Sequence, residues 1–105
     1  MYIWVDDVRK PPSNDWLWVR TVREAQVAIM FFERQQTNDM IIIDLDHDAG
    51  DCAAYGGDYI KILDWLEQQG IVDNGYLFHI HTMNPVGRDN MRAIINKNHW
   101  REIIN

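Results

Sequence analysis

Aspartate side chains are concentrated in two short segments of this 105-residue chain. The first segment is Asp6-Asp7, and the second contains Asp44, Asp46, Asp48 and Asp51. Ten basic and 16 acidic residues give a formal net charge of −6, so these six aspartates account for the whole excess. Close carboxylates cannot all stay ionised unless a cation lies beside them, and carboxylate oxygens are ligands that suit Mg²⁺. The two segments therefore predict a divalent-metal site.

Histidines supply the candidate proton-transfer groups. His47 lies between Asp46 and Asp48, and neighbouring carboxylates favour its charged form near neutral pH. An alternative is that His47 donates one N–H to an aspartate and binds metal through its other nitrogen. His79 and His81 are two residues apart on one predicted strand, so they point to the same face. His81 is nearer the carboxyl end and is the better catalytic candidate, whereas His79 is assigned a structural role.

Arginine and hydroxyl groups near these segments predict phosphate binding. The segment 87–90 (GRDN) places free backbone N–H groups at a helix start, where anions bind. Arg88 adds a bidentate phosphate partner, and Arg9 follows the first acidic pair closely. Thr82 either donates to a phosphate oxygen or begins a turn. Because an acidic pocket repels phosphate, arginine and a metal ion together would be needed to reverse the local potential.

Strands and helices alternate along the chain, which would bring these side chains together. Apolar runs predict strands over Tyr2–Val5, Met40–Ile43 and Tyr76–Ile80, each followed by a polar cluster. Apolar residues at helical spacing predict helices from a capping box at Thr21 to about Gln36, from Asp58 to Gln69, and onward from a cap at Asp89 or Asn90. This pattern predicts a small α/β fold with a mostly parallel sheet. Ligands of such sheets bind beyond the carboxyl ends of the strands, so the polar clusters are expected at one edge.

Three other segments are harder to assign. Trp16–Arg20 is predicted as a short second strand whose pairing stays open, because no helix-length crossover separates it from the first strand. Ala49–Gly57 is predicted as a glycine-rich loop, and residues 83–87 as a turn. The apolar residues of the tail, from Trp100 onward, fall out of helical phase, so a separate short turn is expected there.

Composition excludes several protein classes. Apolar residues make up 47% and charged residues 25%, as in folded soluble domains, so residues 1–105 are expected to form one domain. Outside the acidic segments, acids and bases balance, which argues against an extended nucleic-acid-binding surface. No apolar run approaches the roughly 20 residues of a membrane span, and the N-terminus lacks the basic region of a signal peptide. The single Cys52 excludes an intrachain disulfide, and a cytoplasmic location is expected.

Three segments carry a resemblance to a known family. They are residues 3–9 (IWVDDVR) with the proline-containing loop and tryptophan-rich strand that follow, residues 45–50 (LDHDAG), and residues 81–91 (HTMNPVGRDNM). In this order and spacing, the chain resembles the cyclic-phosphate processing receiver-like domain. The third segment is the most specific, and the resemblance covers nearly the whole chain.

The resemblance implies a derived receiver fold, as in response regulators. This would be a small three-layer, flavodoxin-like fold, short by roughly one strand–helix unit. The implied activity is the processing of cyclic phosphates on nucleotides or nucleic-acid ends. The positions that match the family are Asp6, Asp7, Arg9, Asp46, His47, Asp48, His81, Asn84, Arg88 and Asn90. Asn84 and Asn90 thereby join the candidate phosphate-binding residues.

One departure from ordinary receivers bears on function. Their fifth strand ends in a lysine, whereas Lys97 falls in the last helical segment. The leading hypothesis is a metal-assisted phosphoesterase in which His47, steered by Asp48, is the general base and His81 the general acid. Three residues would hold Mg²⁺ or Mn²⁺: Asp6, Asp7 and Asp46. The alternatives are a non-catalytic receiver-like module that binds a nucleotide or a protein, and a phosphoaccepting receiver with Asp46 as acceptor.

Overall fold

Five parallel strands form one sheet in the computed structural model, which describes residues 1–35, 39–71 and 75–104. The strands are β1 (Tyr2–Val5), β2 (Leu17–Val19), β3 (Ile41–Leu45), β4 (Tyr76–Ile80) and β5 (Arg101–Glu102). The helices are α1 (Val22–Arg34), α2 (Ile60–Gln68) and α3 (Pro85–Lys97), with a 3₁₀ helix over Gly50–Tyr55. The spatial order β2-β1-β3-β4-β5 is that of flavodoxin-like folds. The predicted fold class is therefore confirmed.

A capping box begins α1, as the sequence predicts, in a slightly shifted form. The Thr21 hydroxyl accepts a hydrogen bond from the Glu24 backbone N–H at 3.0 Å. The Glu24 carboxylate accepts one from the Arg20 N–H at 3.2 Å, one residue further back than the standard motif. The helix ends at Arg34, and the predicted end at Gln36 lies outside the described residues.

The start of α2 is two residues later than predicted. The Asp58 carboxylate accepts a hydrogen bond from the Ala49 N–H at 3.0 Å, so it closes the preceding loop instead of capping the helix. That loop, predicted as irregular, contains the 3₁₀ helix. Gly70 follows α2 with a φ of 70°, the left-handed conformation that glycine adopts after a helix.

The start of α3 is earlier than predicted, at Pro85. Asn84 is the cap, because its side-chain oxygen accepts a hydrogen bond from the Gly87 N–H at 3.0 Å. The predicted caps Asp89 and Asn90 are wrong, and the turn expected before the helix is its first turn. Proline fits that turn because its missing N–H would have no partner there. At 13 residues, α1 and α3 are the longest helices in the described ranges, where no helix is long and apolar enough to cross a membrane.

The two edge strands correct the expectation of a shortened sheet. The strand predicted over Trp16–Arg20 is present as β2, which pairs in parallel with β1 although a loop joins them. The predicted turn in the tail is wrong, because Arg101 and Glu102 pair with β4 as β5. Arg92 on α3 donates to the Glu102 carboxylate at 2.7 Å and holds this strand. All five strands are present, so the shortening lies in the helices.

All three helices cover the same face of the sheet. Alternate strand residues, such as Ile3, Ile43 and Phe78, are fully buried in one cluster with apolar side chains of α1, α2 and α3. The connections from β2 to β3, β3 to β4 and β4 to β5 all run in one direction across the sheet. Right-handed crossovers in one direction place their helices on one side. The expected three layers are therefore two, a sheet and a helical layer, in the described ranges.

The opposite side of the sheet has no helix in the part of the chain that the structure describes, and we call it the helix-free face. Trp18, Trp4, Asp44 and His79 lie in register across it. The loop between β1 and β2 packs on this face, since the Trp16 ring lies 5.9 Å from that of Trp4. Polar and aromatic side chains are therefore available on this side of the strands.

Candidate functional site

Three strands end at one edge of the sheet in side chains that could do chemistry. Asp6 follows β1, Asp46 follows β3, and His81 follows β4 directly. The backbone N–H of Asp46 donates to the Val5 carbonyl at 2.9 Å, and that of His81 donates to the Leu45 carbonyl at 3.0 Å. These bonds align the strand ends, so the polar clusters meet as the sequence predicts.

Asp6 is a fully buried carboxylate with three hydrogen-bond donors. Its Oδ1 accepts from the backbone N–H groups of Val8 at 3.0 Å and Arg9 at 2.9 Å. Its Oδ2 lies 2.9 Å from His81 Nε2. Burial alone would raise the pKa of Asp6, but the N–H groups of Arg9 and Val8 and the His81 ring outweigh it and lower that pKa. Asp6 is therefore held ionised.

Asp6, Asp7 and Asp46 form what we call the acidic cluster. One carboxylate oxygen from each lies within 4.8 Å of the others, which brings together the three predicted metal ligands. Burial raises the pKa of Asp7, and the charges of Asp6 and Asp46 raise it further. Gly50 permits the close approach of Asp7, because a Cβ at Gly50 would lie 2.5 Å from Asp7 Oδ2. The φ of 55° at Gly50 also favours glycine.

His81 lies between two carboxylates and against an aromatic ring. Its Nδ1 is 2.6 Å from Asp44 Oδ1, and its Nε2 bonds Asp6. Its ring stacks on that of Trp4 at 4.0 Å with an interplanar angle of 5°. Burial lowers the pKa of His81, but the bonds to Asp44 and Asp6 overcome this and raise it. Two carboxylate partners and a raised pKa favour the protonated ring, which can donate from both nitrogens.

Asp44 is a site residue that the sequence analysis did not assign. It is 8% exposed, and its Oδ1 also lies 3.0 Å from His79 Nδ1. The two histidines do share a face, as their spacing predicts. The alternation of buried residues in β3 was the available signal, since Asp44 must point away from the side that buries Ile43 and Leu45.

His47 forms a second imidazole–carboxylate pair. Its Nδ1 lies 2.8 Å from Asp48 Oδ1, and the two side chains are 15% and 60% exposed. The ring contacts the first turn of α3, because a Cβ at Gly87 would lie 2.5 Å from His47 Cγ. Ligand atoms of His47, Asp48 and Asp58 also lie within 4.8 Å of one another. This geometry accommodates both the base and the metal-ligand interpretations of His47.

The predicted phosphate-binding residues mainly build the turn between β4 and α3. The buried Thr82 accepts a hydrogen bond from the Asn84 N–H at 3.1 Å, and Arg88 donates to the Thr82 carbonyl. Arg9 is exposed, and its carbonyl accepts from Trp4 Nε1 at 2.8 Å. Asn90 is exposed on α3. In the described residues no hydrogen bond links Asn90 to the acidic cluster.

Arg20 is a cation beside the cluster that the sequence analysis missed. Its Nε and Nη2 donate to the Asp7 carbonyl at 3.0 and 2.7 Å, and its guanidinium lies 5.0 Å from the Trp18 ring centroid. Trp18 Nε1 donates to the Asp6 carbonyl at 2.8 Å. Burial and nearby carboxylates raise the pKa of Tyr59, whose hydroxyl donates to the Arg20 carbonyl at 2.7 Å. The pairing of β2 with β1 places Arg20 and Trp18 beside Asp6. The sequence alone left this pairing open, so the signal could not be used.

Comparison with known proteins supports the resemblance found in the sequence. A family model described as the cyclic-phosphate processing receiver domain matches residues 1–97. The chain belongs to this family. No curated protein and no solved structure matches it. The matched range contains every candidate site residue and ends before β5 begins.

The opposite pKa shifts of Asp6 and Asp7 predict opposite effects of substitution on stability. Asp6→Asn should lower the free energy of unfolding at pH 7 by about 1–3 kcal/mol, because a buried amide N–H would face the His81 donor. Asp7→Asn should raise the melting temperature by a few degrees, roughly 2–5 °C, because it relieves repulsion. Thermal unfolding in a chelating buffer measures both changes.

The sign of each effect follows from linkage. The lowered pKa of Asp6 stabilises the fold above its ordinary value of 3.8, and this stabilisation is lost as pH falls through the lowered value. Because the pKa of Asp7 is raised, ionisation of this carboxylate destabilises the fold at pH values above its ordinary pKa of 3.8. The stability differences between each variant and the unmodified chain should therefore shrink in acid. If both variants changed the melting temperature in the same direction at pH 7, this description would be contradicted. Asp64→Asn on α2 is the control for loss of one charge.

Proposed function

We propose that this protein is a metal-assisted phosphoesterase that opens a cyclic phosphate on a nucleotide or a nucleic-acid end. The observation that carries the proposal is a cluster of three carboxylates that is bonded through Asp6 to His81 at the sheet edge, with a second imidazole, that of His47, directly after Asp46. Each imidazole is bonded through Nδ1 to a further carboxylate, His47 to Asp48 and His81 to Asp44. Membership of the cyclic-phosphate processing receiver family supports this class of substrate.

The acidic cluster would hold the metal ion. Its oxygens lie within 4.8 Å of one another, and an all-oxygen donor set suits Mg²⁺ and Mn²⁺. The raised pKa of Asp7, caused by burial and by its two acidic neighbours, is what a bound cation would reverse. When bound, the ion would polarise a phosphoryl oxygen and acidify a water molecule.

His47 is the proposed general base. With its Nδ1–H donating to Asp48, its Nε2 is left as a proton acceptor for the attacking water. Asp48 would stabilise the imidazolium that forms. The close contact with Gly87 limits the positions that the ring can take, which would keep Nε2 directed consistently.

His81 is the proposed general acid. A ribose oxygen that replaces Asp6 on Nε2 would receive that proton, while Asp44 keeps its bond to Nδ1. In the balanced reaction, water adds to phosphorus and the bond from phosphorus to one ribose oxygen breaks. His47 takes a proton from the water, and His81 gives one to the departing ribose oxygen.

The amino end of α3 and Arg88 are proposed to hold the other phosphoryl oxygens. The dipole of the 13-residue α3 favours an anion at its start. The expectation of free N–H groups at 87–90 is wrong, because the N–H groups of Gly87 and Arg88 already donate to Asn84. Arg88 uses one amino group on the Thr82 carbonyl, and its other N–H groups are available for phosphate. Arg9 is a further candidate because its backbone N–H bonds Asp6.

A phosphoaccepting receiver is the second candidate function. Asp46 directly follows the central strand β3 and lies beside Asp6 and Asp7, as a phosphoacceptor beside the acidic pair of a receiver would. Against it stands β5, which is Arg101–Glu102 and is followed by Ile103, so no lysine ends this strand. A non-catalytic binding module would need only the pocket and neither histidine.

Addition of Mg²⁺ or Mn²⁺ is expected to raise the melting temperature, because an ion that binds only the folded chain stabilises it by mass action. The rise should disappear when Asp7→Asn is combined with Asp46→Asn. Thermal unfolding with and without metal provides the measurement. The control combines Asp15→Asn with Asp64→Asn, which removes two acids outside the cluster and should keep the rise. An equal rise in both double variants would exclude the proposed ligands.

With a 2′,3′-cyclic nucleotide and metal, the rate should show a bell-shaped dependence on pH. His47→Ala should lower the rate by a factor of about 10²–10⁴ and remove the acidic limb of the pH profile. His81→Ala should lower the rate by a similar factor and remove the alkaline limb. Phosphorus NMR of the products provides the measurement. His79→Asn, which retains a donor for Asp44, is the control and should keep most of the rate. Near-native turnover in either alanine variant would remove that histidine from the mechanism.

Acetyl phosphate with Mg²⁺ is expected to leave the protein unmodified. A dianionic phosphoryl group on Asp46 would be repelled by Asp6 and Asp7 without the usual lysine to compensate. Intact-mass measurement tests this expectation. A stable gain of one phosphoryl group that is lost in Asp46→Asn would favour the signalling function instead.

A further inference from the structure

A side pocket lies on the helix-free face, beside the loop that follows Arg9, and we infer that it binds a nucleobase of the substrate. Its volume is about 390 Å³, and it is lined by loop residues 10–14 together with Trp16 and Trp18. Pockets of this size hold small organic ligands. The inference rests on the proposed function, because it identifies the part of the substrate that would lie beside the cyclic phosphate.

Two tryptophans form the aromatic wall of the side pocket. Trp16 is partly exposed, and its ring is supported by Tyr2 at 5.2 Å and by Trp4 at 5.9 Å. Trp18 is partly exposed too and lies in register with Trp4 on the helix-free face. Flat rings held by their neighbours can stack on a base with little loss of side-chain freedom, and such stacking is tolerant of base identity.

The loop side of the pocket offers charge and hydrogen bonds. Lys10 is exposed, and its ammonium forms no ion pair within the described residues. Asn14 is exposed and has both an amide donor and an amide acceptor, and the Ser13 hydroxyl lies 3.3 Å from Asp15 Oδ2. A purely apolar ligand would make no use of the Lys10 charge or the Asn14 amide. A nucleobase offers an aromatic face to the tryptophans and polar edges to the loop.

One hydrogen bond joins the lining of the side pocket to the acidic cluster. Trp18 Nε1 donates to the Asp6 carbonyl at 2.8 Å, so one wall of the pocket is attached to the main chain of a proposed metal ligand. Trp4 Nε1 donates to the Arg9 carbonyl at 2.8 Å, which fixes the loop directly before Lys10. On this inference, a ligand with its cyclic phosphate at the cluster extends along Trp18 toward Trp16, which packs on Tyr2 at the start of β1. The base could be the nucleotide's own or that of the preceding nucleotide in an RNA end.

Binding of three probes tests the inference: 2′,3′-cyclic AMP, a short RNA ending in a 2′,3′-cyclic phosphate, and glycerol 1,2-cyclic phosphate, which has no base. Titrations with Mg²⁺ in the His47→Ala background avoid turnover, and tryptophan fluorescence or calorimetry reports affinity. A probe whose base enters the pocket should bind about 5- to 150-fold more tightly than the base-free probe. Trp16→Leu and Lys10→Ala should remove most of this gain and leave binding of the base-free probe unchanged. The matched controls Trp65→Leu and Lys61→Ala on α2 should retain it.

The outcomes separate the pocket from the proposed function. A gain with both base-containing probes assigns the pocket to the nucleotide's own base, and a gain with the RNA alone assigns it to the preceding base. If all three probes bound with equal affinity and Lys10→Ala did not change that affinity, the inference would be overturned. The phosphoesterase proposal would still stand. Adenosine, which has a base but no phosphate, is a further probe. If the protein bound adenosine through Trp16 but had no affinity for the base-free probe, the pocket would be supported and the proposed function would not. Trp16→Phe keeps an aromatic ring and should retain part of the gain, which excludes misfolding as the cause.

Discussion

The buried imidazolium of His81, held between Asp44 and Asp6, is the interaction on which the rest of the candidate site depends. It joins the ends of β1, β3 and β4, because each of its ring nitrogens bonds a carboxylate from a different strand. Neither carboxylate could be buried at this edge without a counter-charge, since an unpaired buried charge is strongly destabilising. The Trp4 ring beneath it excludes water from one side and favours a cation through its π-face. Asp6 is thereby fixed where the acidic cluster needs it.

This interaction is compatible with the fold because the helices lie on one face only. In a doubly wound sheet both faces are covered, and central strands are apolar on both sides. Here β3 buries Ile41, Ile43 and Leu45 beneath the helices and presents Asp44 to the opposite side. The helix-free face can therefore carry the charged and aromatic groups that extend the site down from the sheet edge. In the described ranges one layer of helices covers the sheet, and this arrangement explains why His79 and Asp44 can lie within strands.

Much of this arrangement could be predicted from the sequence, and the failures have physical causes. Strands β1 and β4 were predicted with their observed bounds because both are rich in apolar and aromatic residues, and their ends located Asp6 and His81. The start of α3 was missed because Asp89 and Asn90 are also good capping residues, whereas the cap is Asn84, directly before Pro85. β5 was missed because two residues carry no periodicity, and it depends on Arg92 binding Glu102 across the fold. Arg20 was missed as a site residue because its role follows from the pairing of β2 with β1, which residue spacing alone does not determine.

The charge balance at the sheet edge suggests how the same carboxylates could serve both binding and release. The edge holds four carboxylates, from Asp6, Asp7, Asp44 and Asp46, against the positive charges of His81 and the neighbouring Arg20. A divalent ion would leave it close to neutral, so a cyclic phosphodiester with one negative charge could enter with help from Arg88 and the start of α3. Opening the ring produces a monoester, which gains a second negative charge near neutral pH. The repulsion from fixed carboxylates would then grow just as the reaction finishes, because their positions are set by backbone N–H groups and by His81. On the proposed function, the acidity of the pocket would disfavour the product more than the substrate, which would assist turnover.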